Sequence, residues 1–147
     1  MITVMLVDDH AFMRIALRSL LEAADDIQIV AIASDGEEAL AQAILHCPDV
    51  VVMDISRPLL DGIETTKQIC AKCPDTHVMV FSMFDNPEYI YRALDGGALG
   101  YVFKGATSNE VVAAIHALHQ GHRYFSKHIA GIARQYIRQK RRDTWAG

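Results

Sequence analysis

Five short apolar runs, rich in valine and isoleucine, constrain the fold of this chain more than any other feature. They span residues 2–7, 27–33, 50–53, 78–81 and 101–103. Most are continuous rather than alternating, which is typical of strands buried on both faces of a parallel sheet. Each is followed by a stretch long enough for a helix. The repeated order of strand and helix predicts an α/β fold with helices on both faces of the sheet.

The segments between the runs carry specific helix signals. Asp35 precedes Gly36 and two glutamates, which predicts a helix N-cap followed by an acidic first turn. Pro87 predicts a first helical position, and Gly96 with the next glycine predicts the end of that helix. Residues 126–142 predict one more helix, with no strand after it. We therefore expect this last helix to be an appendage to the repeated pattern.

Length and composition restrict the class of protein. The chain has 147 residues, 51% of them hydrophobic, which suits one domain with a full core and excludes a disordered chain. No apolar run approaches the ~18 residues that a membrane span requires. The chain start lacks the basic flank of a signal peptide, and the three cysteines do not suggest a disulfide framework. These features predict a cytoplasmic protein with free thiols and no membrane association.

The net charge of −4 conceals an uneven distribution. Residues 1–120 contain seven lysines and arginines against seventeen acids, whereas residues 121–147 contain seven basic residues and one acid. Two interpretations of the basic segment are open. It can be a solvated linker helix, whose last turn suits positive charge, or it can contact nucleic acid. The pattern favours the linker helix.

Polar side chains follow four of the five predicted strands. Asp8 and Asp9 follow the first, Asp54 the third, Ser82 the fourth and Lys104 the fifth. In open α/β sheets, ligands bind beyond the carboxyl ends of the strands, so we expect these residues to share a cleft. Three adjacent carboxylates require protonation or a hard divalent cation, and Mg²⁺ fits oxygen ligands. With a lysine and a hydroxyl to contact a bound anion, the set indicates phosphoryl transfer. The alternative is that the aspartates only cap a helix and a turn and that the lysine is solvated.

Three motifs surround these polar residues: Leu-Val-Asp-Asp-His over residues 6–10, Val-Met-Asp-Ile over 52–55 with Pro58 and Asp61-Gly62, and Gly-Ala-Leu-Gly-Tyr-Val-Phe-Lys over 97–104. Together they resemble the receiver domain of bacterial two-component response regulators. The histidine after the acid pair and the run at 85–89 are most similar to the NarL/FixJ (LuxR-type) branch. The resemblance covers about residues 1–121. It implies a flavodoxin-like, doubly wound, five-stranded parallel sheet in the order 2-1-3-4-5, with an extra C-terminal helix.

The resemblance also implies a role for each site residue. Asp54 matches the phosphoacceptor, which takes a phosphoryl group from a sensor histidine kinase. Lys104 matches the lysine that pairs with that group, Ser82 the switch hydroxyl, and Tyr101 the aromatic residue whose rotation reports phosphorylation. The implied Mg²⁺ ligands are Asp8, Asp9, Asp54 and the backbone carbonyl of Ser56. Arg57 departs from the family, which usually has methionine there, so the departure bears on phosphorylation kinetics.

The implied protein is a phosphoacceptor regulator rather than an enzyme with turnover. We expect residues 1–121 to form the receiver domain and residues 122–147 a basic linker helix and tail. We also expect a homodimer on activation, and transcriptional control and DNA contact through an output domain outside this chain. Two alternatives remain: a stand-alone or phosphorylation-independent receiver that acts by protein contacts, and a phosphohydrolase of haloacid-dehalogenase type. The adjacent Asp8 and Asp9 do not match the spaced Asp-x-Asp motif of that hydrolase family.

Overall fold

A parallel sheet runs through the computed structural model, which describes residues 1–8, 11–55, 60–104 and 108–146. Its strands are β1 (Ile2–Val7), β2 (Ile27–Ala33), β3 (Val50–Ile55), β4 (His77–Ser82), β5 (Gly100–Phe103) and β6 (Tyr124–Phe125). Their order in the sheet is β2-β1-β3-β4-β5-β6. The predicted α/β fold is confirmed. The structure adds β6, which a hydrophobic pattern cannot reveal because two residues have no periodicity.

The helices cover both faces of the sheet. They are α1 (Ala11–Glu22), α2 (Gly36–His46), α3 (Leu60–Lys72), α4 (Pro87–Asp95), α5 (Ser108–His119) and α6 (Lys127–Ala146). One apolar core lies beneath α1 and α5, and a second lies beneath α2, α3, α4 and α6. In the described part of the chain, no helix combines the length and apolar character that a bilayer crossing needs.

The local helix signals fold as the sequence predicts. Asp35 caps α2, because its carboxylate accepts a hydrogen bond of 2.8 Å from the backbone N–H of Glu38. The Glu38 carboxylate in turn accepts bonds from the backbone N–H and the hydroxyl of Ser34. Pro87 is the first residue of α4, as predicted, although the Asn86 side chain forms no capping bond. The three cysteines are free thiols.

The segment after α5 is more integrated than the predicted appendage. Gly121 has a left-handed backbone conformation (φ 81°), which a glycine adopts readily, and the chain turns there towards β6. Ile129 and Ala133 of α6 are fully buried in the core that α2, α3 and α4 also cover. The helix therefore continues the layer on that face of the sheet. The functional division at residue 121 stays a prediction.

The strand register places the candidate residues at one edge of the sheet. Val7 of β1 pairs with Met53 of β3, so the residues that follow them are neighbours at the carboxyl ends of the two strands. Ser82 at the end of β4 pairs with Ile55 on one side and with Phe103 on the other. Because all these strands are parallel, their carboxyl ends meet at the same edge.

Candidate functional site

The structure brings together four of the predicted site residues at the carboxyl edge of the sheet. Asp8 and Lys104 directly follow β1 and β5. Asp54 is the penultimate residue of β3, and Ser82 is the last residue of β4. Asp8 and Ser82 are each 1% exposed. The other predicted ligands, Asp9 and Ser56, and the unusual Arg57 lie outside the described residues.

Lys104 and Asp54 form the central interaction of the site. The Lys104 Nζ contacts Asp54 Oδ1, and the two side chains are only 9% and 1% exposed. The backbone N–H of Lys104 donates a hydrogen bond of 2.8 Å to the Ser82 carbonyl, which extends the ladder between β4 and β5 by one residue. The lysine is thus held at the sheet edge by the backbone. Burial from water strengthens its attraction to the carboxylate.

Negative charge at Asp54 is poorly compensated. Burial raises the pKa of the Asp54 carboxyl from its usual 3.8 to about 7, the neighbouring Asp8 adds to this rise, and Lys104 opposes it. The Asp54 Oδ2 atom is buried and has no hydrogen-bond partner among the described residues. The buried Asp54 carboxylate is therefore only partly compensated by Lys104, and the site favours additional positive charge.

The donor chemistry of the site fits Mg²⁺. Asp8 and Asp54 offer buried carboxylate oxygens, which are the ligands that Mg²⁺ prefers, and the ion commonly needs only one or two of them together with water and phosphate oxygens. Among the described residues, there is no group of three or more histidine, cysteine, aspartate or glutamate side chains that could hold a metal ion. Asp8 and Asp54 are therefore the described residues that could hold the ion.

Ser82 is close to the site and is engaged with the backbone. Its hydroxyl donates a hydrogen bond of 3.0 Å to the Ile55 carbonyl and accepts one of 3.0 Å from the backbone N–H of Phe84. The hydroxyl thus bridges the ends of β3 and β4.

Tyr101 connects this hydroxyl to the segment before α4. The Tyr101 side chain is 2% exposed, and its hydroxyl donates a hydrogen bond of 2.5 Å to the Phe84 carbonyl. Burial raises the pKa of the Tyr101 phenol, and the nearby Ser82 side chain partly offsets this rise. Ser82 and Tyr101 therefore meet at the backbone of Phe84. Sequence reasoning missed Phe84, because only its main-chain atoms take part and main-chain atoms leave no residue-type signal.

The fold and the site together define a class of protein. A doubly wound α/β sheet carries a buried aspartate, a second carboxyl group, a facing lysine and a hydroxyl at its carboxyl edge. The profile of the response regulator receiver domain matches residues 4–116 of the chain. The chain belongs to the response regulator receiver domain family.

Curated relatives place the chain within the LuxR/NarL-type response regulators. It is 38% identical over 131 residues to the transcriptional regulatory protein LiaR of Bacillus subtilis (strain 168), with 89% of this chain and 62% of LiaR covered. It is 32% identical over 142 residues to the oxygen regulatory protein NreC of Staphylococcus epidermidis (strain ATCC 35984), with 95% of this chain and 65% of NreC covered. The chain thus spans less than two thirds of the length of these relatives.

Solved structures agree with this placement. A LuxR-family two-component response regulator from Aurantimonas sp. SI85-9A1 superposes with a TM-score of 0.83 at 35% identity, over 90% of this chain and 95% of that chain. The response regulator domain of Thermotoga maritima CheB gives a TM-score of 0.73 at 34% identity, over 81% of this chain and 96% of that chain. The predicted receiver domain and its LuxR-type branch are confirmed.

Proposed function

We propose that the chain is a phosphorylation-dependent switch in which Asp54 accepts a phosphoryl group from a sensor histidine kinase. The observation that carries this proposal is the buried ion pair of Asp54 and Lys104 beside Asp8. A purely structural ion pair gains little from a second carboxyl group that raises the pKa of the first. An anion-accepting site gains from both, because a cation and the lysine can then share the charge of a phosphoryl group.

The transfer needs only positioning and charge neutralisation from this chain. A carboxylate oxygen of Asp54 attacks the phosphorus of the kinase phosphohistidine, the P–N bond breaks, and its electron pair stays on the imidazole, which takes a proton from solvent. Before the transfer, the Lys104 ammonium group contacts Oδ1 of Asp54. After the transfer, it contacts the negatively charged phosphoryl oxygens. Asp8 and Asp54, with Asp9 and the Ser56 carbonyl as the resemblance implies, would hold Mg²⁺. When bound, Mg²⁺ neutralises charge on the phosphoryl oxygens.

The response spreads through Ser82 and Tyr101. A dianionic group at Asp54 attracts the Ser82 hydroxyl, which then releases the Ile55 carbonyl and changes its contact with the Phe84 backbone. Tyr101 depends on the same Phe84 backbone, so its side chain and the start of α4 respond. As in the family, this change would promote a homodimer and act on an output domain that contacts DNA, in the cytoplasm.

The test is phosphorylation by acetyl phosphate, followed by intact mass. We expect the chain to gain one phosphoryl group in the presence of Mg²⁺ and none after Mg²⁺ is chelated. Asp54→Asn should abolish the gain because its amide oxygen is a poor nucleophile. Asp75→Asn is the matched control, since Asp75 is exposed and lies after α3, away from the site.

Three results would contradict the proposal. Equal labelling of Asp54→Asn and the unchanged chain would place the phosphoryl group elsewhere. Continuous turnover of a generic phosphomonoester would support a phosphohydrolase instead. A chain that dimerises but does not accept the group would support the phosphorylation-independent alternative.

A further inference from the structure

Helix α6 has one face that is firmly attached to the rest of the molecule. Ile129 and Ala133 are fully buried in the core, and the Tyr136 ring stacks on Tyr91 of α4 with centroids 4.8 Å apart. The position of the helix on the body is therefore set by its apolar face. The side chains on the rest of the helix surface therefore start from a backbone of fixed position.

An adjoining face of α6 and strand β6 enclose a groove of about 480 Å³. We call it the arginine groove; four arginines line it, together with apolar side chains that include Phe125 and Ile137. The arginines are Arg123, Arg134, Arg138 and Arg141. The last three are spaced by four and three residues, so they form a row along one face of the helix. Arg123 approaches from the strand side.

The charge of the arginine groove is not neutralised by the body. All four arginines are exposed, and within residues 1–8, 11–55, 60–104 and 108–146 none of them forms an ion pair. By contrast, Arg18 and Arg92 are each paired with a glutamate one helical turn away. No acidic side chain lines the groove. Four guanidinium groups thus face one opening without a counter-charge.

We propose that the arginine groove binds the phosphate backbone of duplex DNA. Arginine matches the geometry of phosphate oxygens with two parallel N–H donors, which an ammonium group does not. A row of guanidinium groups on a fixed helix suits a ligand that repeats its negative charge along a line. Because α6 is anchored to the body, binding needs no ordering of the helix backbone, and the ordering cost is limited to the arginine side chains.

The acidic body of a second copy is a poorer match for the groove. Most carboxylates of the described body already hold an internal contact, so they do not form a free row. The engaged residues are Glu22, Asp26, Asp35, Glu38, Asp49, Asp54, Asp85, Glu88, Asp95 and Glu110. Head-to-tail charge pairs between copies would compete with these contacts. Duplex DNA presents a continuous row of phosphates with no such competition.

The proposal gives a quantitative expectation. Neutralising four phosphates predicts a slope of about −3.6 for log K against log salt concentration. Affinity should then fall about 150-fold between 50 and 200 mM salt. The chain has a net charge of −4, so its overall charge opposes DNA binding. Any binding must therefore come from a local surface rather than from net charge.

The test is fluorescence anisotropy of a labelled 24-base-pair duplex of arbitrary sequence, titrated with the full chain in 50–200 mM salt. We expect binding with the slope given above, and the double variant Arg134→Gln/Arg138→Gln should reduce the steepness of that slope by about two. The matched control is Lys67→Gln/Lys72→Gln, which removes the same charge from exposed positions on α3 and should bind as the unchanged chain does. Circular dichroism confirms that each variant is folded.

Three outcomes would overturn the proposal. The first is no binding by the unchanged chain at 50 mM salt. The second is an equal loss in the arginine and the lysine variants, which would reflect bulk charge. The third is a sedimentation result in which the chain self-associates through the two arginines without binding DNA, which would make a second copy the occupant. None of these outcomes affects phosphorylation of Asp54, which is tested separately.

Discussion

Two lysine–aspartate pairs in this molecule have the same chemistry and opposite surroundings. Lys104 contacts Asp54 with both side chains less than a tenth exposed, whereas Lys140 lies 3.5 Å from Asp95 with both side chains more than half exposed. Water screens the second pair and is excluded from the first. The comparison teaches that the buried pair dominates the electrostatics of its site. The exposed pair adds little to a contact that other groups stabilise.

Those other groups are apolar. Beneath the pair of Lys140 and Asp95, α6 attaches to the body through Ile129, through Ala133 and through the stacked rings of Tyr91 and Tyr136. Burial of apolar side chains is not screened by salt, so α6 should remain in place when the surface charges are changed. At the site edge the opposite holds, because polar groups are buried there and depend on each other.

The first prediction concerns the buried pair. Lys104→Met should lower the free energy of unfolding at pH 8 by about 1 kcal/mol, because Asp54 loses its cation and then takes up a proton, which costs about 1.4 kcal/mol for the one pH unit above its pKa of about 7. Losing the lysine should raise the pKa of Asp54 further, since Lys104 now opposes the rise. When the pKa of an acid is higher in the folded state than its usual 3.8, the free energy of unfolding decreases as the pH rises from 3.8 to the folded-state pKa. The loss should therefore be smaller at pH 5.

Urea unfolding without Mg²⁺, at pH 5 and pH 8, measures this effect. Lys67→Met is the control, because Lys67 is exposed on α3 and its replacement should change stability by less than about 0.5 kcal/mol. If Lys104→Met is as stable as the control at pH 8, the pair does not compensate the buried charge, and the comparison fails.

The second prediction concerns the apolar anchor of α6. Ile129→Ala should cost about 3 kcal/mol, since it leaves a cavity in the shared core where Ile129 is fully buried. Ile44→Ala is the matched control, because that isoleucine is 52% exposed on α2. Urea unfolding of both variants makes the measurement. Near-equal values would mean that α6 is held by its charges and not by its apolar face.

The sequence predicts much of this architecture for clear physical reasons. Strands buried on both faces need continuous apolar runs, and the capping signals at Asp35 and Pro87 act within a few residues, so both are visible locally. The convergence of Asp54 with Lys104 is also predictable. It follows from parallel strands whose carboxyl ends meet at one edge.

The parts that sequence reasoning missed depend on long-range or main-chain contacts. The bond from Tyr101 to the Phe84 carbonyl uses an atom that every residue has. Strand β6 and the burial of Ile129 follow from the way the chain turns back at Gly121 onto β5, which only the folded structure defines. The basic segment is predicted as a solvated linker helix, and only packing shows that Ile129 and Ala133 are buried in the core while three arginines of the same helix line a groove with β6.

The third prediction refines the apolar half of the comparison. The Tyr136 hydroxyl is buried and has no hydrogen-bond partner among the described residues, which is unfavourable. Tyr136→Phe keeps the ring stack and removes that hydroxyl, so it should raise stability by up to about 1 kcal/mol. Tyr91→Phe keeps the same stack and serves as the control, with a change near zero. A clear loss in Tyr136→Phe would show that the hydroxyl contributes to the attachment of α6.

The smallest predicted effect is that of the exposed pair, and it isolates the role of surroundings. A double-mutant cycle of Lys140→Gln and Asp95→Asn should give a coupling energy of about 0.2–0.5 kcal/mol, because both side chains are more than half exposed. The coupling should vanish in about 1 M salt, where the Debye length is about 3 Å. The cycle is needed because Lys140 also lies over the Tyr136 ring, 5.6 Å from its centroid, and a single variant would mix the two contacts. A coupling above about 2 kcal/mol that survives high salt would mean that exposure does not separate the two pairs, since the surface pair would then behave as the buried one does.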